Sequence, residues 1–201
     1  MLTAPHRWHS GAVDAPVAIL RAAVGLGLVL LAAPAAGGPF DGMPGLKVEY
    51  YDVSGRTAAE IRASIDRLRP ADPNTGMRVD AFTSWYMHWN VPGSPEGVCR
   101  PDAAVVTVDV TVGLPRLADP AAVRPAVLQR WNQYLAALEA HEANHVRLAY
   151  EGRDAVLRAI READCATGPQ AARAAMEALR RRNDEYDRTT QHGMTEGAHF
   201  P

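Results

Sequence analysis

The 201-residue sequence has few cysteines and no surplus of positive charge. Its 21 Lys and Arg residues are offset by 23 Asp and Glu residues, giving a net charge of -2 at pH 7. The basic cluster Arg180–Arg182 is typical of a solvated helix face, so we expect no nucleic-acid partner. No internal repeat is visible in the sequence. The length therefore suits a single domain preceded by a removable segment.

The N-terminal region also lacks an apolar run long enough for a stable membrane anchor. Its run, Ala22–Ala33, is shorter than the roughly 20 residues that cross a bilayer. Ala33-Pro34-Ala35 then fits the small-residue cleavage site of a secretory signal. No cysteine stands there to accept a lipid, and two glycines in the run disfavour a buried core helix. We predict a signal peptide at 1–35 and a single secreted or periplasmic domain at 36–201, without a stable membrane anchor.

The apolar patterns of that domain predict an α+β fold, with an antiparallel sheet followed by two long helices. In Ala104–Leu114 the valines alternate with polar residues, as in an antiparallel strand with one buried face, and we expect Pro115 to end it. The edge of this strand is a candidate surface for an extended peptide. The other strands are predicted at Val48–Val53 and Ala81–Val91, and the helices at Thr57–Leu68, Arg124–Glu162 (which could break near Gly152) and Gln170–Asp187.

Cys99 and Cys165 are the only two cysteines in the sequence. In an oxidising compartment they most simply form one disulfide, between the loop ahead of Ala104–Leu114 and the end of the long helix. Metal ligation and two free thiols are the alternatives. We favour the disulfide, because neither cysteine has another cysteine or a histidine close to it in sequence.

The long helix carries the pattern His141-Glu142-x-x-His145, which indicates metal chemistry. Two histidines four residues apart project from one side of a helix and can bind one Zn²⁺, while the glutamate between them can take a proton from zinc-bound water. An ordinary amphipathic helix is the alternative. However, the motif continues a stripe of core-facing positions, where histidines and a carboxylate must be paired or bound to metal. That stripe contains Trp131, Leu135, Leu138, Leu148 and Ala149.

A catalytic zinc takes three protein ligands, and the motif supplies only two. Metzincin spacing is excluded, because Leu148 and Glu151 stand where that class has glycine and histidine. Glu162 lies several turns away on the same predicted helix and cannot reach the metal. We favour His192, which follows the last predicted helix at a point where the chain can turn back. Asp187 is the alternative, either as the ligand or as a hydrogen-bond partner of a histidine.

Together these segments resemble a family of bacterial secreted zinc-dependent peptidases, long filed as a domain of unknown function. The resemblance covers most of the chain after the predicted signal peptide and implies a zincin-like domain with the metal site on the first long helix. Arg116 and Leu117 depart from it, since a tryptophan is expected there. The resemblance rests on Tyr50–Gly55, the tryptophan-containing strand, Cys99, the strand ending at Leu114-Pro115, the motif His141–His145 and the segment Tyr186–Gly193.

The motif and the resemblance predict a secreted or periplasmic zinc peptidase that acts on a protein or peptide substrate. His141, His145 and His192 would hold the Zn²⁺, and Glu142 would act as the general base on the zinc-activated water. One alternative is a zinc-binding envelope protein without proteolytic activity, which the presence of Glu142 disfavours because structural sites need no general base. Another is an amidase that applies the same chemistry to cell-wall peptides. The sequence leaves the oligomeric state open.

Overall fold

The chain begins with strands that flank a short helix and ends in two long helices, and the computed structural model describes residues 38–73, 75–93 and 98–201. The predicted signal peptide lies outside these residues. Within the described part, Gly37–Pro201 is assigned to one compact unit, and no helix there is long and apolar enough to cross a membrane. The elements are β1 (Leu46–Val53), α1 (Ala58–Leu68), β2 (Phe82–Asn90), β3 (Val105–Leu117), α2 (Pro125–Glu162) and α3 (Gly168–Thr190).

The three strands form a mixed sheet in the order β1-β3-β2. β2 runs antiparallel to β3, from the pair Phe82–Gly113 to the pair Asn90–Val105, as predicted. β1 runs parallel to β3, so the prediction of a wholly antiparallel sheet is wrong. The alternation in β3 reveals which face is buried but not the direction of its neighbours. The suggestion that β3 offers an edge to a peptide does not hold from Val110 to Gly113, where β3 pairs on both sides, and β2 is an edge strand.

Pro115 does not end β3, which continues to Leu117. Proline normally avoids central strands because it has no N–H to donate. Here the pairing with β2 ends at Gly113, so β1 is the only strand beside Pro115, which pairs with Tyr51. The missing donor therefore falls where the sheet has narrowed to two strands.

The core lies between the sheet and α2. The alternating valines of β3 are buried, with exposed fractions of at most 8%. The apolar side of α2 packs on this face, while α3 packs along α2. Phe200, in the segment after α3, returns to α2 and packs its ring against those of Trp131 and Tyr134 at centroid distances of 5.5 and 5.4 Å. The long helix thus contacts the sheet, α3 and the C-terminal segment.

α2 does not break at Gly152. A Cβ at this position would lie 2.3 Å from Cδ2 of Leu179 on α3. The glycine therefore serves the close approach of two helices, which a side chain would prevent. This packing offsets the roughly 1 kcal/mol that a glycine costs within a helix.

The local signals for α1 are confirmed. Thr57 accepts a hydrogen bond from the Glu60 amide, and the Glu60 side chain accepts one from the Thr57 amide, which completes a capping box. Arg62 on this helix makes two hydrogen bonds to the Asp80 carboxylate, at 2.7 and 2.9 Å, and Tyr134 on α2 donates a third at 2.9 Å. Asp80 therefore joins α1 to α2 at the start of β2.

The Asp80 network makes the free energy of unfolding depend on pH. Burial raises the pKa of Asp80, but the hydrogen bonds from Arg62 and the attraction of that guanidinium outweigh burial and hold the pKa below 3.8. Because the folded-state pKa is depressed, this contribution to stability is present above pH 4 or so and is lost as pH falls through the folded pKa. We expect Asp80→Asn to lower the free energy of unfolding by about 1–3 kcal/mol at pH 7 and to flatten its decrease in acid.

Urea denaturation from pH 3 to pH 7 measures this effect. Asp66→Asn is the matched control, since Asp66 also bonds Arg62 but has a half-exposed side chain. The control should lose less than about 1 kcal/mol. Equal losses in the two variants would contradict a special contribution from Asp80.

Cys99 and Cys165 form the predicted disulfide, at a sequence separation of 66 residues. The bond joins the loop ahead of β3 to the segment just after α2. The disulfide restricts the conformations that the unfolded chain can adopt. Replacing both cysteines by serine should therefore lower the free energy of unfolding by about 3 kcal/mol. Circular dichroism during urea denaturation measures the loss, and wild type with reductant should reproduce it. Coinciding midpoints for wild type and the double variant would contradict this.

Candidate metal centre

The side chains of the histidine motif lie on the buried side of α2, as their spacing predicts. His141, Glu142 and His145 have exposed fractions of 3%, 4% and 7%. The two imidazoles lie next to each other, with ring centroids 4.9 Å apart. Their Nε2 atoms are 3.3 Å apart. Both therefore aim the same nitrogen at one point.

Asp187 on α3 brings a carboxylate oxygen to that point. Its Oδ1 lies 3.2 Å from Nε2 of His141 and 3.0 Å from Nε2 of His145. In a tetrahedral zinc site with bonds of 2.0–2.1 Å, neighbouring ligand atoms are about 3.3 Å apart. The three separations of 3.0–3.3 Å thus fit the dimensions of a zinc site. Two nitrogens and one oxygen are also a ligand set that zinc uses in catalytic sites.

A second layer of hydrogen bonds fixes the other nitrogen of each imidazole. Nδ1 of His141 lies 2.9 Å from Oε2 of Glu196, and Nδ1 of His145 lies 2.7 Å from Oδ1 of Asn183. Both partners are acceptors, so each Nδ1 carries a proton, and a metal would take the place of the proton that Nε2 shares with Asp187. Such partners are typical of metal-binding histidines, whose tautomer and orientation they set.

Tyr186 holds this second layer together. Its ring stacks on that of His141 at a centroid distance of 4.9 Å and an interplanar angle of 18°. Its hydroxyl donates to Glu196 at 3.0 Å and accepts a hydrogen bond of 2.6 Å from Asn144. The tyrosine therefore positions His141 through its ring and Glu196 through its hydroxyl.

The charges of the three candidate ligands stabilise one another. Burial lowers the pKa of each histidine, but the hydrogen bond to Asp187, the charge of Glu142 and the hydrogen bond to Glu196 or Asn183 together outweigh burial, and the net pKa is raised for both. Burial likewise raises the pKa of Asp187, but the bonds to His141 and His145 reverse this and hold its pKa well below its usual range. Binding of a metal would replace the protons of the imidazoles by the cation.

His192 lies beside this group and not within it. The candidate ligand atoms of His141, His145 and Asp187 all lie within 4.8 Å of one another, and His192 is not a member of that cluster. Its Nδ1 is 3.4 Å from Oδ1 of Asp187, and its side chain is 62% exposed. The geometry therefore favours Asp187, the alternative from the sequence, as the third ligand and leaves His192 on the solvent side of that carboxylate.

The turn that follows α3 is shaped by its contact with His141. Gln191, His192 and Gly193 all have positive φ angles, of 52°, 53° and 78°. A Cβ on Gly193 would lie 3.0 Å from Cγ of His141 and 2.9 Å from Cβ of Ala198. Only glycine accepts both this backbone conformation and this contact without strain. The turn then delivers Glu196 to the imidazole.

Glu142 contacts the sheet through its carboxylate. Its Oε2 accepts a hydrogen bond of 2.6 Å from the Thr83 hydroxyl on β2. Burial raises the pKa of this carboxyl, although the neighbouring histidines and the Thr83 bond oppose the shift. A raised pKa suits a group that accepts a proton near neutral pH. Glu142 therefore lies between the candidate ligands and the edge strand.

A family model matches most of the chain. Residues 48–193 match the family described as "Bacterial protein of unknown function (DUF922)". The chain belongs to this family. The DUF922 match contains His141, Glu142, His145, Asp187 and His192, and it ends before Glu196. No curated protein and no solved structure matches the chain.

Three residues that bond to the site are absent from the sequence-based prediction, namely Asn183, Thr83 and Glu196. Asn183 carried a usable signal, because it stands four residues before Asp187 on a helix, the same spacing as the two histidines of the motif. Thr83 and Glu196 carried none. Their roles depend on which strand forms the edge beside α2 and on the turn after α3, and neither can be inferred from local spacing.

Proposed function

We propose that this protein is a zinc-dependent peptidase in which His141, His145 and Asp187 hold the metal and Glu142 acts as the general base. The observation that carries the proposal is the set of three ligand atoms at 3.0–3.3 Å, two from α2 and one from α3. With both Nδ1 atoms donating, two Nε2 atoms and a carboxylate oxygen converge. A cation at this point would be ligated by all three atoms.

Among the residues that the structure describes, three side chains converge, which favours catalysis over a purely structural role. Structural zinc sites are usually closed by four protein ligands, whereas catalytic sites keep one position open. Zinc, when bound, would lower the pKa of a water molecule and polarise the scissile carbonyl. Asn183, Glu196 and Tyr186 keep the histidines in the orientation that this requires.

Glu142 is placed to move protons during hydrolysis. Its carboxylate is buried next to the motif histidines and is held by Thr83 at the edge of the sheet. It would accept a proton from the attacking water and pass it to the leaving amine. The hydrogen bond from Thr83 orients the carboxylate while leaving the second oxygen for this transfer.

β2 supplies a surface for an extended peptide. It pairs only with β3 among the described strands, so its other side is a row of backbone donors and acceptors. Thr83, whose hydroxyl contacts the general base, belongs to this strand. A peptide that paired with β2 would therefore run past Glu142. This observation supports a peptide substrate over a compact small molecule.

A secreted or periplasmic location remains part of the proposal. The disulfide is compatible with an oxidising compartment outside the cytoplasm. The N-terminal sequence 1–35 supports export, as its basic residues, apolar run and cleavage site are those of a signal peptide. Fusing this segment to a reporter that is active only outside the cytoplasm tests it directly.

Metal analysis combined with a cleavage assay tests the function. We expect one zinc per chain after dialysis, hydrolysis of denatured casein, loss of hydrolysis with a chelator and recovery on adding zinc. Zinc without cleavage of casein or of cell-wall peptides would support the non-proteolytic envelope protein instead. Cleavage restricted to cell-wall peptides would identify the amidase. A protein that binds no zinc would overturn the proposal.

A further inference from the structure

An arginine on α3 reaches the edge strand β2. The guanidinium of Arg180 on α3 lies over the ring of Trp85 on β2, 6.0 Å from its centroid. Trp85 lies two residues beyond Thr83 and so faces the same side of the strand. Arg180 precedes Asp187 by seven residues, two turns along the same side of the helix. Arg180 therefore links β2, which carries Thr83, to α3, which carries Asp187.

A chain of contacts links β2, α2 and α3. Thr83 bonds Glu142 on α2, the motif histidines contact Asp187, and α3 leads from Asp187 to Arg180. Arg180 then contacts Trp85, which returns along β2 to Thr83. A peptide paired with β2 beside Thr83 would extend past Trp85, where the guanidinium of Arg180 lies.

Arg180 has binding capacity left for such a side chain. It is 56% exposed, and its ion pair with Glu177 has a separation of 3.6 Å, longer than a hydrogen bond. Glu177 is also shared with Arg181 at 3.5 Å, so one carboxylate faces two guanidinium groups. The ring of Trp85 lies to one side of the planar guanidinium, which can bind a carboxylate through two parallel hydrogen bonds.

We infer that Arg180, seated on Trp85, is a specificity-determining residue that selects peptides with an acidic side chain about two residues from the bond that is cleaved. The inference rests on the proposed peptidase function. The register comes from β2, because a paired peptide keeps step with the strand and alternates its side chains with the same period. The residue beside Thr83 lies at the general base, and the residue beside Trp85 lies two positions further on.

The test compares cleavage sites and binding in two charge-reversal variants. Wild type is given a library of peptides made by digesting a whole proteome, and the cut bonds are read by mass spectrometry. We expect Asp and Glu to be enriched about tenfold at one position two residues from the cut. Arg180→Glu should abolish this enrichment. Arg181→Glu is the matched control, since Arg181 has the same charge and the same partner, and the enrichment should persist in it.

Binding provides a second measurement that does not depend on turnover. The zinc-loaded Glu142→Gln variant is titrated with fluorescent peptides that carry Glu or Gln at the selected position. The Glu peptide should bind about tenfold more tightly, and adding Arg180→Glu should remove the difference. Cleavage or binding without an acidic preference, or a preference that survives Arg180→Glu, overturns this inference and leaves the peptidase proposal intact. If wild type cleaves nothing while loaded with zinc, the peptidase proposal fails and the inference fails with it.

Discussion

Glu142→Gln should lower the rate of peptide hydrolysis by about 100- to 10,000-fold while zinc stays bound. The amide has nearly the shape of the carboxylate and can remain beside Thr83, but it cannot accept the proton of the attacking water. Glu142 is not one of the three converging ligands, so its removal leaves the metal's protein contacts in place. Zinc content by mass spectrometry and initial rates on a quenched fluorescent peptide measure both quantities.

Glu139→Gln is the matched control for this substitution. Glu139 lies one turn earlier on α2, it is partly buried, and burial raises its pKa as it does that of Glu142. It makes no contact with the candidate ligands. The control variant should keep the wild-type rate. Full activity of Glu142→Gln would exclude Glu142 as the base, and equal losses in both variants would indicate damage to α2.

Asp187→Ala should weaken zinc binding by roughly 60- to 700-fold, since a four-ligand zinc site gains on the order of 10–16 kcal/mol, or about 2.5–4 kcal/mol for each ligand. The variant removes the only oxygen among the converging atoms. It also leaves the raised pKa values of His141 and His145 without the partner that causes them. Competition with a chromophoric chelator at pH 7 gives the dissociation constant.

His192→Ala distinguishes the two candidate third ligands. His192 contacts Asp187 at 3.4 Å from the solvent side, so its removal should change zinc affinity by less than about tenfold. Asp184→Ala, an exposed position on the same helix, controls for general effects of a lost carboxylate. A large loss of zinc in His192→Ala, with retention in Asp187→Ala, would restore His192 as the ligand favoured by the sequence.

Much of the fold follows from signals that are local in sequence. The capping box at Thr57 and the alternation in β3 each depend on residues within a few positions of one another, and both are present in the structure. The predicted antiparallel direction of β1 is wrong, because neither strand's own sequence indicates how it pairs with a strand more than 50 residues away. Gly152 likewise depends on a partner, Leu179, that the sequence does not reveal.

The same distinction applies to the candidate site. The two histidines and Glu142 stand on one helix, so their shared side could be inferred from the period of 3.6 residues. The third position required knowing which side of α3 faces α2 and where the turn after it points. Its position just after the last predicted helix, where the chain can turn back, favours His192 from sequence, whereas the packing of α3 on α2 brings Asp187 to the imidazoles. Helix–helix packing decides such a choice, and spacing does not.

The open side of β2 has a consequence for handling the protein at high concentration. Natural edge strands avoid pairing with other copies by carrying charged residues or proline, but Phe82–Asn90 contains no Lys, Arg, Asp, Glu or Pro. An edge kept free for a peptide is equally free for the edge of another molecule. We therefore expect concentration-dependent self-association, visible by light scattering, that a bound peptide-like inhibitor or the substitution Tyr86→Lys, at an exposed position of β2, would suppress.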